Sequence, residues 1–325
     1  MVSASAYWTM FAATAPILLI AALSFAIVRI WTLGEHFVDA ANALLINVAL
    51  PAFILYQMLT TMSAASLPKW AAYPAVSLMF IAGQALVGAV FSLGRLTPSA
   101  RMGLTAAVTF HNACFLPVAY LAVIPIAAAL RDRLFNVVFL FVIPFGPLLS
   151  SLGVYLASGG KARRGRLSEI FNAPVVATLV GLTAALLHGE PFSPVGHGAP
   201  ILRALEILAG AAIPLIAIVT GATLAHHVPR GGIRWAATAR TVLATLIVVP
   251  AAAYFVGKAF DLGDVFRVVL VLEAAAPPAL GLIVAARRFG GDEKMMGDIL
   301  FVSYVASALT TPFWFALLSG ALKLS

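Results

Sequence analysis

Apolar runs of about 20 to 25 residues fill nearly all of this chain, and they constrain its fold more than any other feature. A helix of that length crosses the hydrocarbon core of a bilayer, and such runs are too long for ordinary core helices. Of the 325 residues, 62% are hydrophobic and 10% are charged, whereas soluble domains are about 25% charged. We therefore predict an all-α integral membrane protein and exclude a soluble catalytic domain, because irregular backbone cannot face lipid.

Charged and Gly/Pro/Ser-rich breaks divide the chain into ten apolar spans. The spans cover residues 8–29, 38–61, 70–93, 102–128, 134–157, 171–188, 201–225, 235–257, 266–286 and 298–320. The longest basic connector, at 159–166, falls almost at the midpoint of the chain. We therefore predict two five-helix halves, 1–158 and 171–325, joined by a basic cytoplasmic hinge loop at 159–170.

Basic residues in the connections indicate the orientation, because cytoplasmic loops carry an excess of Lys and Arg. The odd-numbered connections hold thirteen basic residues: Arg29, Arg95, Arg101, Lys161, Arg163, Arg164, Arg166, Arg230, Arg234, Arg240, Arg287, Arg288 and Lys294. The other side holds seven: Lys69, Arg131, Arg133, Arg203, Lys258, Arg267 and Lys323. Both termini should thus lie outside the cell. No basic residue precedes Arg29, so we expect the first span to stay as a helix and not be cleaved as a signal peptide.

The two halves contain matching segments. LINVALP ends at Pro51 in span 2 and LAGAAIP ends at Pro214 in span 7, an offset of 163 residues. Pro117 in span 4 and Pro277 in span 9 are offset by 160 residues. Because each half holds an odd number of spans, the second copy enters the membrane from the opposite side. Inverted repeats with interrupted helices at matching positions are typical of secondary transporters.

Span 4 places His111, Asn112 and Pro117 at the middle of the membrane. Proline lacks a backbone N–H and clashes with the preceding turn, so we expect the helix to break at Pro117. Asn112 is the best ligand candidate, because an amide donates to a carboxylate without the cost of burying a cation. Its alternative role is a helix-to-helix hydrogen bond. His111 titrates near neutrality when unperturbed, and its alternative role is packing.

Span 9 carries Glu273 one turn before Pro277 and Pro278, with Gly281 just after them. Two broken helices at equivalent positions would cross near the bilayer centre and direct their positive N-terminal ends at an anion. Glu273 is the only acidic residue of the sequence that is neither at a predicted span end nor in a loop, so it is a candidate proton or cation carrier. The alternative is an outward-facing carboxylate in a vestibule.

Other polar residues and other chemistries carry less weight. Asn47, one turn before Pro51, is a further candidate for the crossover, and Gln57 and Gln84 are weaker ones. The single cysteine, Cys114, excludes an intramolecular disulfide and a multi-cysteine metal site, and we predict no cofactor. The formal charge of +8 serves topology and contact with anionic headgroups. We therefore expect a lipid bilayer as partner and no nucleic acid.

Four segments resemble the auxin efflux carrier family, which includes plant PIN proteins, PIN-likes and bacterial malate permease-type carriers. They are NVALPAFILYQML (47–59), NACFLPVAYL (112–121), NAPVVATLVGLTAALL (172–187) and the long segment 273–314. The resemblance implies ten helices in two inverted five-helix repeats, with helices 4 and 9 broken at prolines and crossing in an NhaA/bile-acid-symporter-like fold. It also implies outside termini, an organic anion beside the crossover and an elevator motion. By position, Pro117 and Pro277 become the crossover prolines, and Asn112 the asparagine that precedes the first.

The chain departs from the family pattern in several places. Leu116 replaces the usual glycine, Pro278 is a second proline, and the long cytoplasmic loop of plant members shrinks to 159–166. These departures favour a prokaryotic carrier over a regulated plant hormone carrier. The position of Glu273 resembles a neutral amide in plant members, which favours uniport or weak proton coupling.

The leading hypothesis is a secondary active or facilitative transporter of small organic anions, auxin-like or other carboxylates, acting as a homodimer in the cell (inner) membrane. The main alternative is a sodium-coupled bile-acid-type symporter, although span 9 offers only Glu273 as a cation ligand. An antiporter would need paired mid-membrane carboxylates, and an intramembrane enzyme would need a catalytic constellation. His226 and His227 sit at a span end without evident partners. A structural or receptor role leaves the repeat unexplained.

Overall fold

The computed structural model describes residues 3–63, 65, 71–94, 96–162, 172–193, 196, 199–229 and 231–322. This part of the chain is helical, with one isolated β-bridge. The helices are α1 (Ala4–Ile30), α2 (Glu35–Thr61), α3 (Ala72–Phe91), α4 (Pro98–Thr109), α5 (Phe115–Val123), α6 (Ala128–Ala157), α7 (Ala173–His188), α8 (Ala199–His226), α9 (Trp235–Ala259), α10 (Asp264–Ala274), α11 (Gly281–Phe289) and α12 (Glu293–Leu317). The all-α membrane prediction is confirmed.

Seven of the described helices are long and apolar enough to cross a bilayer: α1, α2, α3, α6, α8, α9 and α12. Helix α7 is apolar but shorter, at 16 residues. The predicted spans 4 and 9 each appear as two short helices, α4 with α5 and α10 with α11. The count of ten membrane spans therefore stays a prediction. Most of the predicted hinge loop, at 163–170, lies outside the described residues.

Side-chain caps explain where several of these helices begin. At each of these positions an oxygen accepts a hydrogen bond from a backbone N–H three residues later, which satisfies one of the free donors of the first turn. The capping residues are Ser3 for α1, Thr97 for α4, Asn172 for α7 and Asp292 for α12. Proline follows directly or within two residues at α4 and α7, where its missing N–H costs nothing.

Irregular turns precede the prolines of three long helices. A π-helical turn at Leu45–Ala49 comes before Pro51 in α2, and a second at Ala244–Val248 comes before Pro250 in α9. In α8, a turn at Ala211 comes before Pro214. These distortions follow from the lost N–H of proline and its clash with the preceding turn.

By their packing the helices form two groups. The first packing group is α1, α2, α7 and α8, in which α1 lies along α8 and α2 contacts both α7 and α8. The second packing group is α3, α4, α6 and α9 to α12, in which α3 contacts α4 and α6, and α9 contacts α10 and α12. Helix α5 lies between the groups, and α1 also packs on α12. Each group combines helices from both halves of the sequence.

Candidate functional site

The first interruption is a non-helical segment, Phe110 to Cys114, between α4 and α5. It precedes Pro117, at which we expected the break. Pro117 is buried in the first turn of α5, where a backbone N–H has no partner within the helix and its loss is tolerated. The side chain of Asn112 caps the new helix, because its Oδ1 accepts from the N–H of Phe115 at 3.2 Å. The predicted span is thus divided into α4, which ends before Pro117, and a separately capped helix, α5.

The second interruption runs from Ala275 to Leu280, between α10 and α11. Pro277 and Pro278 are both buried within it. A residue before proline is driven out of the helical region toward extended backbone, and two prolines in succession extend this effect. Helix α10 therefore ends at Ala274, and α11 begins only at Gly281.

The two interruptions pair with each other as short antiparallel strands. The N–H of Asn112 donates to the carbonyl of Pro277 at 2.8 Å, and the N–H of Ala279 donates to the carbonyl of Phe110 at 2.9 Å. His111 stands opposite Pro278 in this bridge. Opposed residues in an antiparallel ladder alternate between hydrogen-bonded and non-hydrogen-bonded pairs, and this pair is of the second kind. Pro278 therefore needs no N–H there. The pairing satisfies backbone groups that could not face lipid.

A buried polar chain runs from the first interruption to α10 and α3. The Nε2 of His111 lies 2.9 Å from Oε2 of Glu273, and its Nδ1 lies 3.2 Å from Nε2 of Gln84. His111 is 1% exposed, Gln84 3% and Glu273 0%. The vestibule alternative for Glu273 is therefore wrong, because α10 turns its last-turn carboxylate inward. Glu273 Oε1 has no hydrogen-bond partner among the described residues.

Asn112 makes the helix-to-helix hydrogen bond that is its alternative role, and its role as a ligand stays a prediction. Its Nδ2 donates to the hydroxyl of Tyr304 on α12 at 2.7 Å, a helix-to-helix hydrogen bond, while its Oδ1 caps α5. Asn112 also borders an open cavity and is 6% exposed, as is Tyr304. The amide is thus fixed in place by two hydrogen bonds beside a space that can hold a ligand.

That cavity has a volume of about 420 Å³ and lies between the two packing groups. From the first group, α2, α7 and α8 line it, and from the second, α6, α11 and both interruptions do so. The lining residues include Asp39, Asn42, Ile46, His111, Asn112, Cys114, Phe115, Phe145, Asn172, Val219, Thr223, Ala279, Leu280 and Gly281. The structure therefore brings His111, Asn112 and Gly281 to one cavity, with Pro277, Pro278 and Glu273 close behind it.

Two helix N-termini border this cavity. Phe115, the first residue of α5, and Gly281, the first residue of α11, both line it. The backbone N–H groups of Leu280 and Gly281 have no acceptor among the described residues. A Cβ placed on Gly281 would meet nothing within 4 Å, so this glycine opens directly onto the cavity.

Asn47 does not join the other predicted site residues. Its side chain is exposed, and its Nδ2 donates to the carbonyl of Ala43 in its own helix at 2.9 Å. The π-helical turn that contains Asn47 shifts the register of α2, and Ile46 and Leu50 line the cavity instead. The spacing of one turn before Pro51 could not reveal this shift.

Charged residues surround the cavity mouth. Arg287 of α11 contacts Glu35 of α2 at 2.6 Å and Glu293 of α12 at 2.8 Å, and all three are well exposed. His227, just beyond α8, also lies here, and its Nδ1–H donates to the carbonyl of Thr223 at 2.8 Å. Burial lowers the pKa of His227 below its ordinary value, so this imidazole is neutral at pH 7. The mouth thus carries ion pairs and no free positive side chain among the described lining residues.

Sequence reasoning missed Tyr304 and undervalued Gln84. Both are polar groups inside an apolar span, and that position was the available signal. It could not show their partners, because Tyr304 is 192 residues from Asn112, and Gln84 is 27 from His111. Arg287 was counted only for topology, although it borders the cavity.

Known proteins share this sequence pattern. Residues 163–315 match the family model described as membrane transport protein. PIN-LIKES 1 of Arabidopsis thaliana is 28% identical over 163 residues, which cover 47% of this chain and 34% of that protein. An uncharacterized transporter of Methanothermobacter thermautotrophicus is 25% identical over 303 residues, which cover 92% of this chain and 95% of that protein. PIN-LIKES 7 of Arabidopsis thaliana is 23% identical over 157 residues, 46% of this chain and 40% of that protein.

The alignments differ in extent, since the chain spans about a third of the length of PIN-LIKES 1 but nearly all of the archaeal transporter. The range matched by the family model contains the segments around Asn172 and Glu273 that carry the resemblance. The chain is therefore similar to membrane transport proteins over residues 163–315, and to PIN-LIKES proteins and an archaeal transporter over the lengths given.

Proposed function

We propose that this membrane transporter carries small organic anions, auxin-like or other carboxylates, and binds them in the cavity at the paired interruptions. The observation that carries the proposal is that the N-termini of α5 and α11 border one cavity beside the fixed amide of Asn112. Each helix N-terminus acts as roughly half a positive charge toward an anion. Together the two ends and the amide complement one carboxylate.

The charge of the cavity wall supports this mode of binding. Among the described lining residues, Arg287 is the only Lys or Arg, and two carboxylates at the mouth hold its guanidinium. A carboxylate at the interruptions would therefore meet backbone donors and an amide, not a cation. The volume of about 420 Å³ lies in the range of small-molecule sites, about 300 to 1,000 Å³.

The two packing groups support an elevator motion. The first packing group would stay fixed in the membrane, while the second carries the interruptions and the bound anion across it. The cavity lies between the groups, as such a motion requires, and its mouth is at Glu35 and Arg287. In the predicted topology this mouth is cytoplasmic.

We further propose that each interrupted pair of helices counts as one span. The chain would then have ten spans in two inverted five-helix repeats, 1–158 and 171–325, with α4–α5 and α10–α11 crossing at equivalent positions. The turns that precede Pro51 in α2 and Pro214 in α8 support the repeat. A homodimer in the cell membrane with both termini outside completes the proposal.

Uptake by proteoliposomes tests the function. We expect the purified protein to take up radiolabelled malate, succinate or indole-3-acetate faster than empty liposomes. Taurocholate uptake that requires a sodium gradient would instead support the bile-acid-type alternative. If all four probes enter at the rate of empty liposomes under sodium and pH gradients, the proposal is wrong.

Two leucine variants locate the binding site. Gly281→Leu should abolish uptake without unfolding the protein, because the added side chain meets no atom within 4 Å at its Cβ and projects into the cavity. Gly83→Leu is the matched control, because its Cβ also meets nothing within 4 Å and it lies exposed on α3, away from the cavity. Equal uptake by both variants would place the site elsewhere.

A further inference from the structure

We propose that Gln84, His111 and Glu273 form a proton-binding unit that couples anion transport to proton symport. The inference rests on the proposed function for the identity of the transported anion, but the proton-binding unit itself does not. It differs from the uniport that the resemblance favoured, and it starts from the buried chain of hydrogen bonds that links α3, the first interruption and α10.

The hydrogen bonds define how many protons the unit holds. In the observed arrangement Nε2 of Gln84 donates to Nδ1 of His111, so the imidazole is neutral and its Nε2–H donates to Glu273 Oε2. The carboxyl group then carries either a negative charge or one proton on Oε1. If the Gln84 amide turned over, its Oε1 would face Nδ1 of His111 and could accept from an Nδ1–H. The added proton could then sit on Nδ1 of the imidazole instead of on Oε1 of Glu273. The unit thus has two charge states that differ by one proton.

The unused polar atoms favour this role over a structural one. Most buried polar groups have a hydrogen-bond partner, and each unpaired atom calls for an explanation. Here Oε1 of Glu273 and Oε1 of Gln84 have no partner among the described residues. They are the two atoms that change their hydrogen bonds when a proton arrives or when the amide turns.

The groups that surround the unit are mostly aromatic or already hydrogen-bonded elsewhere. The rings of Phe80 on α3 and Phe145 on α6 pack on the imidazole, with ring centroids 5.9 Å and 4.7 Å away. The thiol of Cys114 is close enough to Glu273 to interact with it electrostatically, and the Tyr304 hydroxyl is bonded to Asn112 instead. Among the described residues no Lys or Arg forms an ion pair with Glu273. Apart from the hydrogen bond from His111, a proton is therefore what can compensate its charge.

The position of the unit couples this proton to the anion. His111 borders the cavity, so protons can reach the pair from cavity water. The same residue is bridged to Pro278, two and three residues before the free N–H groups of Leu280 and Gly281. A negative charge on the unit repels an anion at these donors, and a bound proton removes that repulsion. Proton and anion should therefore bind together and cross together.

A spectroscopic titration tests proton binding without any substrate. Infrared difference spectra of the purified protein between about pH 4 and pH 10 should contain a protonated-carboxyl band that is missing from Glu273→Gln. Asp298→Asn is the matched control, since Asp298 is also buried, at 2% exposure, but is paired with Lys294. The control should keep the band. A wild-type spectrum without a band that depends on Glu273 overturns the proposal.

Proteoliposome uptake of labelled malate tests the coupling. With the membrane potential clamped at zero, one coupled proton and a gradient of one pH unit support about tenfold accumulation. Wild type and Asp298→Asn should reach it, while Glu273→Gln should only equilibrate malate and keep exchange at equal pH. Accumulation by wild type that ignores the gradient overturns the coupling. If malate, succinate and indole-3-acetate all fail to enter while the infrared band is present, the proposed anion transport is wrong and proton binding stands.

Discussion

Asn112 holds the N-terminus of α5 and a hydroxyl of α12 with a single amide. Removing it in Asn112→Ala should cost helix stability of about 0.5 to 2 kcal/mol as a lost cap. In addition, loss of a charge-assisted hydrogen bond of about 1.5 to 3 kcal/mol should weaken anion binding roughly 10- to 150-fold. Asn112→Asp should bind more weakly still, because its charge repels the anion. Binding is measured by equilibrium dialysis with labelled malate.

Two control variants separate the anion contact from the structural contacts of Asn112. Tyr304→Phe removes only the hydroxyl that accepts from the amide, so it should weaken binding less than Asn112→Ala. Asn136→Ala removes another buried asparagine, which bonds to Thr61 away from the cavity lining. Binding by Asn112→Ala as tight as that of Asn136→Ala would remove Asn112 from the proposed site.

Gly221 sets how closely α8 approaches α1. A Cβ at this position would lie 1.9 Å from the carbonyl oxygen of Ala21, so the helices would have to separate. Gly221→Ala should therefore lower the free energy of unfolding by about 1 to 3 kcal/mol, as overpacking does. Gly83→Ala should raise it by about 0.5 to 1 kcal/mol, since its Cβ meets nothing within 4 Å in a helix interior.

Thermal unfolding in detergent micelles compares these two variants. Gly221→Ala should melt below wild type and Gly83→Ala slightly above it. Equal melting temperatures for the two would mean that α1 and α8 are not held at this distance in the folded protein.

At the residue scale, the sequence indicated which residues lie at the interruptions better than which residues they contact. His111, Asn112, Glu273 and Gly281 could be selected because they are polar or flexible near prolines in apolar spans. The partner of Glu273 could not be predicted, because His111 lies 162 residues away and meets it only when two interruptions pair. The same long separation explains why the buried position of Glu273 was not foreseen.

The prolines of the second interruption determine whether two helices or one will form. Replacing Pro277 and Pro278 together by Ala removes a helix penalty of about 3 kcal/mol at each position. The segment between α10 and α11 should then become helical and lose its pairing with Phe110 and Asn112. We expect uptake of labelled malate to fall sharply while the protein still folds. Hydrogen exchange of peptides covering 275–280 reports the conformational change.

Pro312→Ala is the control for this double variant. Pro312 lies inside α12, which is continuous through it, and is buried away from the cavity lining. Its replacement should leave uptake close to that of wild type. Normal uptake by the double variant would mean that the interruption is not needed for transport.

At the element scale, helix positions were predictable from hydropathy, and helix irregularities were only partly so. Proline chemistry predicted a break near Pro117, but the break lies upstream, because a proline is easily placed in the first turn of a helix. The irregular turns before Pro51 and Pro214 fit packing kinks. Their π-helical or open geometry depends on neighbouring helices that no local sequence window contains.

For the whole molecule, the distribution of basic residues predicts the side on which each loop lies. A cysteine at Lys161, which is exposed, should react only with a reagent on the cytoplasmic side. A cysteine at Glu190, exposed after α7, should react only from outside. Both belong in a Cys114→Ser background. Ser158, closer to the end of α6, is unsuitable because it is fully buried.

Intact cells treated with an impermeant maleimide provide the measurement. Glu190→Cys should be labelled at once, and Lys161→Cys only after the membrane is opened. The reverse pattern would invert the topology, and labelling of both in intact cells would place the two loops on one side.

The packing groups themselves could not be predicted from the sequence. Hydropathy shows that helices exist, but nearly every face of such helices is apolar, so amphipathic patterns do not indicate which pairs are in contact. Close approaches such as Gly221 with Ala21 decide the grouping, and they depend on small residues on two distant segments. The cavity lies between the two packing groups, so it could not be predicted from the sequence either.

The lone thiol of this chain lies on the wall of the cavity, at Cys114, next to the cap of α5. Under the proposed elevator motion it would face opposite membrane surfaces in turn. The rate at which a reagent confined to one compartment alkylates this thiol would then depend on the fraction of time that the carrier is open to that compartment. The native cysteine would therefore report alternating access at a single position, without an engineered label.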